Sequence, residues 1–252
     1  MPGPMRLQPH VAITAGARVD GDYADLAGTS VKALAAVRGR TMLDRVLDAA
    51  LEIAPSECVA VVGGGQVRAA CDARGVRTID ESASGGENVR RALTAWRRDV
   101  PLLYLTSDMP YVTGAAIRGF LASVPPHTVA MPVCDRASFV QRFPGAPPFG
   151  VTLAGECVVN GGAFLIPPAA RGRVVDLATA FFDARKSPAR MAAIAGPAAL
   201  VRLIFKRLSI AAVERRASHV LENAAIAVRG CAPELAYDAD DAAEYRYACS
   251  HD

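Results

Sequence analysis

Short apolar runs alternate along the chain with longer segments in which apolar residues recur at helical spacing. This alternation is typical of a mostly parallel β-sheet that is covered by helices. The sequence therefore predicts an α/β fold. The predicted strands are residues 11–14, 58–62, 76–79, 102–105, 128–134, 158–166 and 225–228.

Several predicted helices begin at a residue that is suited to cap them. Thr41 precedes a segment with a single apolar stripe that stops before Pro55, and Thr113 precedes a second such segment. Two long segments, residues 14–32 and 138–149, are predicted to be loops. The other predicted helices are residues 66–74, the segment that follows a loop at 84–88, and about residues 197–222.

Composition and charge narrow the classes of function. The chain has 252 residues, of which 52% are hydrophobic, and 28 basic against 25 acidic residues give a formal charge of +3. The length suffices for one large α/β domain, and so weak a charge does not indicate a nucleic-acid partner. The six cysteines show no metal-ligand spacing, and neither a signal peptide nor a membrane-length apolar run is visible. We expect a cytoplasmic protein with no membrane partner.

Loops that follow strands are the first candidates for a site, because open α/β sheets bind ligands at the carboxyl ends of their strands. The first such loop, residues 14–32, contains Gly16 and ends at Lys32. Backbone N–H groups of a glycine-containing loop can surround phosphate oxygens, and a lysine can neutralise their charge. An ordinary turn is the alternative interpretation of this loop.

Carboxylates that would suit a metal ion form the second candidate. Asp108 follows the strand at residues 102–105, where it could hold Mg²⁺ together with substrate phosphates. An acidic cluster near the end of the sequence would complete such a site only if that segment folds back against Asp108. Otherwise Asp108 is a turn residue and the cluster is a solvated patch. The cluster consists of Asp238, Asp240, Asp241 and Glu244.

Two glycines interrupt the predicted strand at residues 158–166. Asn160 is followed there by Gly161 and Gly162. Glycines weaken strands and often mark the close approach of a ligand or of another backbone. The segment is therefore a third candidate, with a simple β-bulge as the alternative.

Taken in order, these motifs resemble the nucleotidyltransferase superfamily, in particular the molybdenum cofactor guanylyltransferase-like NTP transferase domain. Thr14-Ala-Gly-Ala17 and Val31-Lys-Ala-Leu34 stand where that group has Leu-Ala-Gly-Gly and Pro-Lys-Ala-Leu. Thr106-Ser-Asp-Met-Pro110 resembles the group's Asp-x-Pro motif. Similarity to its base-side loop, acceptor-side strand and terminal acidic segment is carried by Gly85-Gly-Glu-Asn88, Asn160-Gly-Gly-Ala-Phe164 and Asp238-Ala-Asp-Asp-Ala-Ala-Glu-Tyr245.

The resemblance implies a specific architecture. The fold would be Rossmann-like, with three α/β/α layers around a mostly parallel mixed sheet, in a single domain over residues 1–252. Its core would span about residues 11–166 and 225–248. A basic helical insertion would occupy about residues 168–224.

The resemblance also implies an activity. A nucleoside monophosphate would be transferred from a nucleoside triphosphate to a small phosphorylated acceptor, with Mg²⁺ as cofactor and pyrophosphate as product. Lys32 and Asp108 would be catalytic, and Asn160 and Gly161 would face the acceptor. The metal would be held by Asp108, Asp240 and Asp238, and the nucleotide by Ala15, Gly16, Ala17, Arg18, Lys32, Gly86 and Asn88.

The first loop departs from the family pattern in two ways. Ala17 replaces a second glycine, and Asp20-Gly-Asp22 occupies the place of an arginine element that contacts the triphosphate. One alternative is therefore a catalytically degraded relative that binds a nucleotide without transferring it. A metal-dependent glycosyltransferase of similar fold is another, although that class has no requirement for a lysine at position 32.

Overall fold

The computed structural model describes residues 8–147, 149–184, 187 and 207–252. Its strands are β1 (His10–Thr14), β2 (Ala36–Val37), β3 (Arg40–Thr41), β4 (Val59–Gly63), β5 (Arg77–Asp80), β6 (Leu102–Thr106), β7 (Val129–Asp135), β8 (Val151–Leu153), β9 (Glu156–Asn160), β10 (Ala163–Ile166) and β11 (Ala225–Val228). Its helices are α1 (Gly21–Ala27), α2 (Met42–Leu51), α3 (Gly65–Asp72), α4 (Gly85–Leu93), α5 (Gly114–Ala122), α6 (Arg136–Arg142), α7 (Arg171–Ala184), α8 (Ile210–Leu221) and α9 (Ala242–Ser250).

One mixed sheet organises these elements. Its strands lie in the order β5-β4-β1-β6-β10-β7-β9-β8, and β11 pairs in parallel with β7. Strands β5, β4, β1 and β6 run parallel to one another, whereas β10 is antiparallel to both β6 and β7. The parallel half places the carboxyl ends of four strands at one edge. The predicted mixed α/β sheet is therefore confirmed.

Helices cover both faces of the sheet. Val11 and Ile13 of β1 belong to one apolar cluster with residues of α2 and α5, whereas Ala12 belongs to another with residues of α4 and α7. Successive side chains of a strand point to opposite faces, so these clusters lie on opposite sides of the sheet. The three-layer α/β/α arrangement is confirmed.

Two predicted helix starts, at Thr41 and Thr113, agree with the structure, whereas the predicted loop at residues 84–88 was wrong because α4 already begins at Gly85. Thr41 Oγ1 accepts a hydrogen bond from the Asp44 N–H at 3.0 Å, and Thr113 Oγ1 accepts one from the Ala116 N–H at 3.1 Å. A side-chain oxygen in this position satisfies one of the N–H groups that a first turn leaves without a partner. Local chemistry therefore fixes where α2 and α5 begin.

Both long predicted loops contain a short helix, so these two loop predictions were partly wrong. Helix α1 lies within residues 14–32, where it buries Tyr23, and α6 runs into residues 138–149, where it buries Phe139. Each helix has seven residues. A helix of that length carries too few apolar positions to produce a periodic pattern in the sequence.

The predicted strand at residues 158–166 is two strands, β9 and β10, which are separated by Gly161 and Gly162. A Cβ atom on Gly161 would collide with the Leu235 carbonyl and with the Pro132 ring, 2.8 Å away. The Gly162 N–H donates to the Leu235 carbonyl at 2.9 Å. The glycines therefore mark the close approach of another backbone.

The region of the predicted insertion contains α7 and α8. Helix α8 begins only at Ile210, with Ser209 Oγ accepting from the Ala212 N–H at 3.2 Å, and residues 197–206 of the predicted helix lie outside the described residues. The basic residues Arg185, Lys186, Arg190, Arg202 and Lys206 also lie outside them. The assignment of residues 1–252 to a single domain stays a prediction.

A buried arginine attaches α7 to α4. Arg171 is 1% exposed, and its guanidinium donates to the Leu93 carbonyl at the end of α4 and to the Val100 carbonyl. No carboxylate bonds to it among the described residues, so the backbone carbonyls are its partners. A cation at the C-terminal end of a helix is favourable, and removing a buried hydrogen-bonding group leaves its partners unsatisfied.

Replacement of Arg171 by methionine is therefore expected to destabilise the fold. We expect Arg171→Met to lower the free energy of unfolding by about 1 to 3 kcal/mol, because the buried Leu93 carbonyl and the partly buried Val100 carbonyl lose their donor. Urea denaturation at 25 °C would measure the change. The control is Arg173→Met, which removes an exposed arginine from its pair with Glu222 and should change stability by less than about 0.5 kcal/mol. Equal effects of the two substitutions would contradict the anchoring role.

Candidate active site

The first loop lies between the carboxyl ends of β1 and β4. The Ala15 N–H donates to the Val62 carbonyl at 2.8 Å, and the Ala17 carbonyl accepts from the Lys32 N–H at 3.0 Å. The second bond fixes the backbone of Lys32 beside the loop, although 14 residues and helix α1 lie between them. These bonds bring Ala15, Gly16, Ala17, Arg18 and Lys32 together at one end of the sheet, and their role in binding a nucleotide stays a prediction.

Lys32 joins two carboxylates. Its side chain is 8% exposed, and Nζ donates to Asp108 Oδ2 at 2.6 Å and to Asp240 Oδ1. Burial by itself would lower the pKa of the Lys32 ammonium, but the charges of Asp108 and Asp240 outweigh burial and raise that pKa above its ordinary value. The lysine is therefore charged at neutral pH.

Asp108 stands two residues beyond β6 at the same edge of the sheet. Burial would raise the pKa of its carboxyl group, whereas the charge and hydrogen bond of Lys32 hold that pKa below its ordinary value. One oxygen, Oδ1, is buried and has no hydrogen-bond partner among the described residues. The Thr106 hydroxyl also contributes to lowering the pKa of Asp108, and a carboxylate oxygen without a hydrogen-bond partner is a position at which a ligand would find an acceptor.

The terminal acidic segment folds back onto this edge. The Ala239 N–H donates to the Asp108 carbonyl at 3.0 Å, and the Ala239 carbonyl accepts from the Tyr23 hydroxyl of α1 at 2.9 Å. Asp241 caps α9 in a capping box with Glu244, so both carboxylates accept hydrogen bonds from backbone N–H groups. Of the four acidic residues, Asp240 is the one that bonds to Lys32.

Asp238 stands close to the same charges. Burial and the charges of Asp240 and Asp108 raise the pKa of its carboxyl group to about 7, and Lys32 opposes this only in part. The described residues contain no group of three or more His, Cys, Asp or Glu side chains arranged to hold a metal ion. The predicted trio of Asp108, Asp240 and Asp238 is therefore not a preformed three-carboxylate site.

The donor set nevertheless fits a hard divalent cation. Asp108 and Asp240 present carboxylate oxygens to a common point, and the buried Oδ1 of Asp108 is open. Proteins commonly hold Mg²⁺ through one or two carboxylates, while substrate phosphates and water supply the other ligands. Two convergent carboxylates are sufficient for such a site.

The sequence prediction missed Glu81, which follows β5. Its Oε2 atom is buried without a hydrogen-bond partner among the described residues, and a Cβ atom on Gly16 would lie 2.7 Å from it. The Arg18 guanidinium donates to the other oxygen of Glu81 and to the Gly16 carbonyl at 2.9 Å. The rule that sites form at the carboxyl ends of strands, applied to β5, would have found this residue.

Asn88 holds the loop that carries Glu81. Its Oδ1 accepts from the Ser82 N–H at 2.6 Å, and its Nδ2 donates to the Ser82 carbonyl at 3.0 Å. Asn88 also lies beside the first loop, because a Cβ atom on Gly16 would be 2.9 Å from Nδ2. Gly86 is buried in the first turn of α4. Asn88 therefore positions the loop around the predicted nucleotide side.

The predicted acceptor residues differ in accessibility. Asn160 is exposed at the end of β9, opposite Val133 of β7, whereas Gly161 lies against the Leu235 and Pro132 backbones. The Gly162 carbonyl in turn accepts from the Thr106 N–H at 3.0 Å, next to the Asp108 loop. Asn160 thus lies at the same edge of the sheet as the Asp108 loop, and Gly161 packs against other backbone. Their role toward an acceptor stays a prediction.

Comparison with known proteins gives the family. The sequence model of the MobA-like NTP transferase domain matches residues 26–247, which is most of the chain. The chain belongs to this family. The match runs from α1 to α9 and includes Lys32, Asp108 and Asp240, so the predicted superfamily is confirmed.

Individual relatives of this MobA-like protein support the same assignment. A hypothetical transferase from Thermus thermophilus is 27% identical with a TM-score of 0.79, over 95% of this chain and 100% of that one. Bifunctional protein GlmU of Burkholderia thailandensis is 38% identical over 91 residues, which are 34% of this chain and 20% of GlmU. The chain thus matches about a fifth of the length of that curated relative.

A more distant structure shares only the fold. A Mycobacterium tuberculosis protein that was solved as a complex with manganese is 17% identical with a TM-score of 0.50, over 95% of this chain and 96% of that one.

The described helices of this MobA-like chain include none with both the length and the apolar character that a membrane span requires.

The raised pKa of Asp238 makes stability depend on pH. Between about pH 4 and pH 7 the folded state binds more protons than the unfolded state, so the Asp238 contribution falls as the pH rises through this range. The cost is complete above pH 7 and absent below pH 4. We expect Asp238→Asn to remove this cost. Between pH 5 and pH 8 the free energy of unfolding of the variant should exceed that of the parent protein by about 1 to 3 kcal/mol, with the larger difference at pH 8.

Urea denaturation in a chelator, at pH 5 and at pH 8, would measure this gain. The control is Asp72→Asn, which neutralises an exposed aspartate at the end of α3. Its difference from the parent protein should be the same at both pH values. A pH-independent effect of Asp238→Asn would show that burial of this carboxyl group does not carry the cost.

Proposed function

We propose that this protein is a nucleotidyltransferase that transfers a nucleoside monophosphate from a nucleoside triphosphate to a small phosphorylated acceptor and releases pyrophosphate. The observation that carries the proposal is the convergence of Lys32, Asp108 and Asp240 beside the first loop. Membership in an NTP transferase family supports nucleotidyl transfer as the general class. We further infer a cytoplasmic protein without nucleic-acid or membrane partners.

The chemistry requires positioning and charge neutralisation. A phosphate oxygen of the acceptor attacks the α-phosphorus, a new P–O bond forms, and the bond between the α-phosphorus and the bridging oxygen breaks as pyrophosphate leaves. Lys32 donates hydrogen bonds to the triphosphate and neutralises charge that develops in the transition state. Gly16 lets the backbone of the first loop approach the phosphates. Together they hold donor and acceptor in line.

A magnesium ion would be held by Asp108 and Asp240, with Asp238 close by. When bound, such an ion neutralises phosphate oxygens and orients them. The buried open oxygen of Asp108 supports this role, and the manganese complex of the mycobacterial protein with the same fold is consistent with a divalent cation. The protein's own part is to keep both carboxylates ionised and in place.

Glu81, Gly86 and Asn88 would form the nucleotide side, with Arg18 at its rim. The Glu81 carboxylate accepts hydrogen bonds, so it would face N–H groups of the base or hydroxyl groups of the ribose. Asn160 and the adjacent Gly161 would border the acceptor at the other side of the Asp108 loop. This division places the transferred phosphate near Lys32.

The two alternatives make different use of the same residues. A nucleotide-binding relative without catalysis would keep the Arg18–Glu81 pair and the first loop but would release no pyrophosphate. A glycosyltransferase would require the carboxylates and has no need of Lys32 between them. The buried position of Lys32 favours the nucleotidyltransferase over the second alternative.

Nucleotide binding is the first property to measure. We expect one of GTP, CTP, ATP or UTP to raise the melting temperature in a Mg²⁺-dependent manner, because a ligand of the folded state at a hundred times its Kd adds about 2.7 kcal/mol. A thermal-shift screen of all four, each with and without Mg²⁺, would identify the donor. No shift with any triphosphate would contradict the proposed function.

Turnover tests the two central residues. With the donor known, pyrophosphate release across a panel of phosphorylated acceptors would measure the reaction. We expect Lys32→Ala and Asp108→Ala each to lower turnover by at least about a hundredfold, because each removes an electrostatic contact to the transition state. The matched control is Arg118→Ala, which removes an exposed cation of α5 that is paired with Glu52, the residue that follows α2. Near-normal turnover in either site variant would refute its assigned role.

A further inference from the structure

The Lys32 ammonium occupies the point at which the two proposed metal ligands converge. It bonds to Asp108 Oδ2 at 2.6 Å and to Asp240 Oδ1, and its side chain is 8% exposed. A divalent cation needs those same carboxylates at about 2.0 to 2.1 Å for Mg²⁺. An ammonium and a divalent cation repel each other strongly at such separations. The cation can bind both carboxylates only after Lys32 has left them.

The hydrogen bonds that join Lys32 to Asp108 and Asp240, here called the Lys32 bridge, leave one oxygen of Asp108 without a partner in the described part of the chain. Asp108 Oδ1 is buried without a hydrogen-bond partner among the described residues, while Oδ2 holds the lysine. The Asp240 side chain is 66% exposed. A buried ion pair repays the cost of its desolvation only when its remaining lone pairs are satisfied, so the unpaired Oδ1 weakens this bridge as a stabilising contact. The geometry instead suits an arrangement in which Lys32 is exchanged for another cation.

A triphosphate bound on the first loop would offer the Lys32 ammonium a second set of negative oxygens. Its backbone N–H is fixed to the Ala17 carbonyl at 3.0 Å, so the residue stays beside the first loop while its four-carbon side chain reorients. A triphosphate bound on that loop presents several negative oxygens within reach of the same side chain. The nucleotide would therefore draw the ammonium away and free both carboxylates.

We propose that Lys32 is the internal counter-ion of the metal site, which excludes a divalent cation until a triphosphate draws its ammonium away. The inference rests on the proposed function, because it takes the triphosphate from it. Its consequence is positive coupling: the cation binds poorly alone and binds well with the nucleotide. By linkage, the cation strengthens binding of the nucleotide by the same factor.

Binding of Mn²⁺ alone tests the exclusion directly. Titration followed by electron paramagnetic resonance would compare the parent protein, Lys32→Met and Arg118→Met without nucleotide. We expect Lys32→Met to bind Mn²⁺ at least about tenfold more tightly than the parent protein, since a vacated pair of carboxylates attracts the ion. Arg118→Met also removes one positive charge and leaves the exposed Glu52 without its partner, and it should match the parent protein.

Two further variants localise the effect. Lys32→Arg keeps a positive charge at the bridge and should bind Mn²⁺ as weakly as the parent protein. In the double variant Lys32→Met/Asp108→Asn, the gain should be lost. Equal Mn²⁺ affinity of Lys32→Met and the parent protein, or an equal gain in Arg118→Met, would overturn the proposal.

The parent protein provides a measurement that does not depend on the folding of any variant. We expect Mn²⁺ alone to leave its melting temperature unchanged, and Mn²⁺ with a non-hydrolysable triphosphate to raise it beyond the effect of the analogue alone. A full shift with Mn²⁺ alone would overturn the counter-ion role. Tighter Mn²⁺ binding by Lys32→Met, together with no pyrophosphate release by the parent protein, would support the counter-ion role and refute the proposed function.

Discussion

The bridge from Lys32 to Asp108 and Asp240 is the interaction on which the site depends. It joins residues that are 76 and 208 positions apart in the sequence. Buried charges are tolerated when they are paired, and in the absence of ligands this lysine and Asp108 neutralise each other. The terminal segment closes over the same point through Ala239, which bonds to the Asp108 backbone and to Tyr23. One ion-pair network therefore fixes where the last part of the chain can lie.

Close backbone contact makes that closure possible. Gly161 and Gly162 connect β9 to β10 at the edge of the sheet, where Leu235 and Thr106 pass too near for side chains. Any larger residue would push the terminal segment away from the Asp108 loop. The glycine pair therefore serves the active site through packing, and its importance for function would be indirect.

The other half of the edge is organised around Glu81. Arg18 and Asn88 approach it from the first loop and from α4, and Gly16 and Gly64 provide space for its carboxylate. The first loop departs from the family pattern at Ala17, yet it keeps a cation at Arg18 beside this carboxylate. Under the proposed function, this arrangement would form the nucleotide side of the site at the parallel half of the sheet.

The three-layer arrangement was implied by the resemblance to a family. Local sequence patterns predicted the mostly parallel sheet covered by helices, the bounds of strands such as β1, β6 and β11, and Lys32 and Asp108 as candidates in loops that follow strands. These features are local, because strand alternation, helical spacing and capping residues are written within a few neighbouring positions. Tertiary structure decided what local patterns do not encode. Of the four acidic residues near the end of the sequence, only Asp240 bonds to Lys32 among the described residues, and Asn88 bonds to Ser82. Glu81 pairs with Arg18, and the backbone at Leu235 lies against Gly161 between β9 and β10. Each outcome depends on strand order and chain closure, which are set by contacts between residues far apart in sequence.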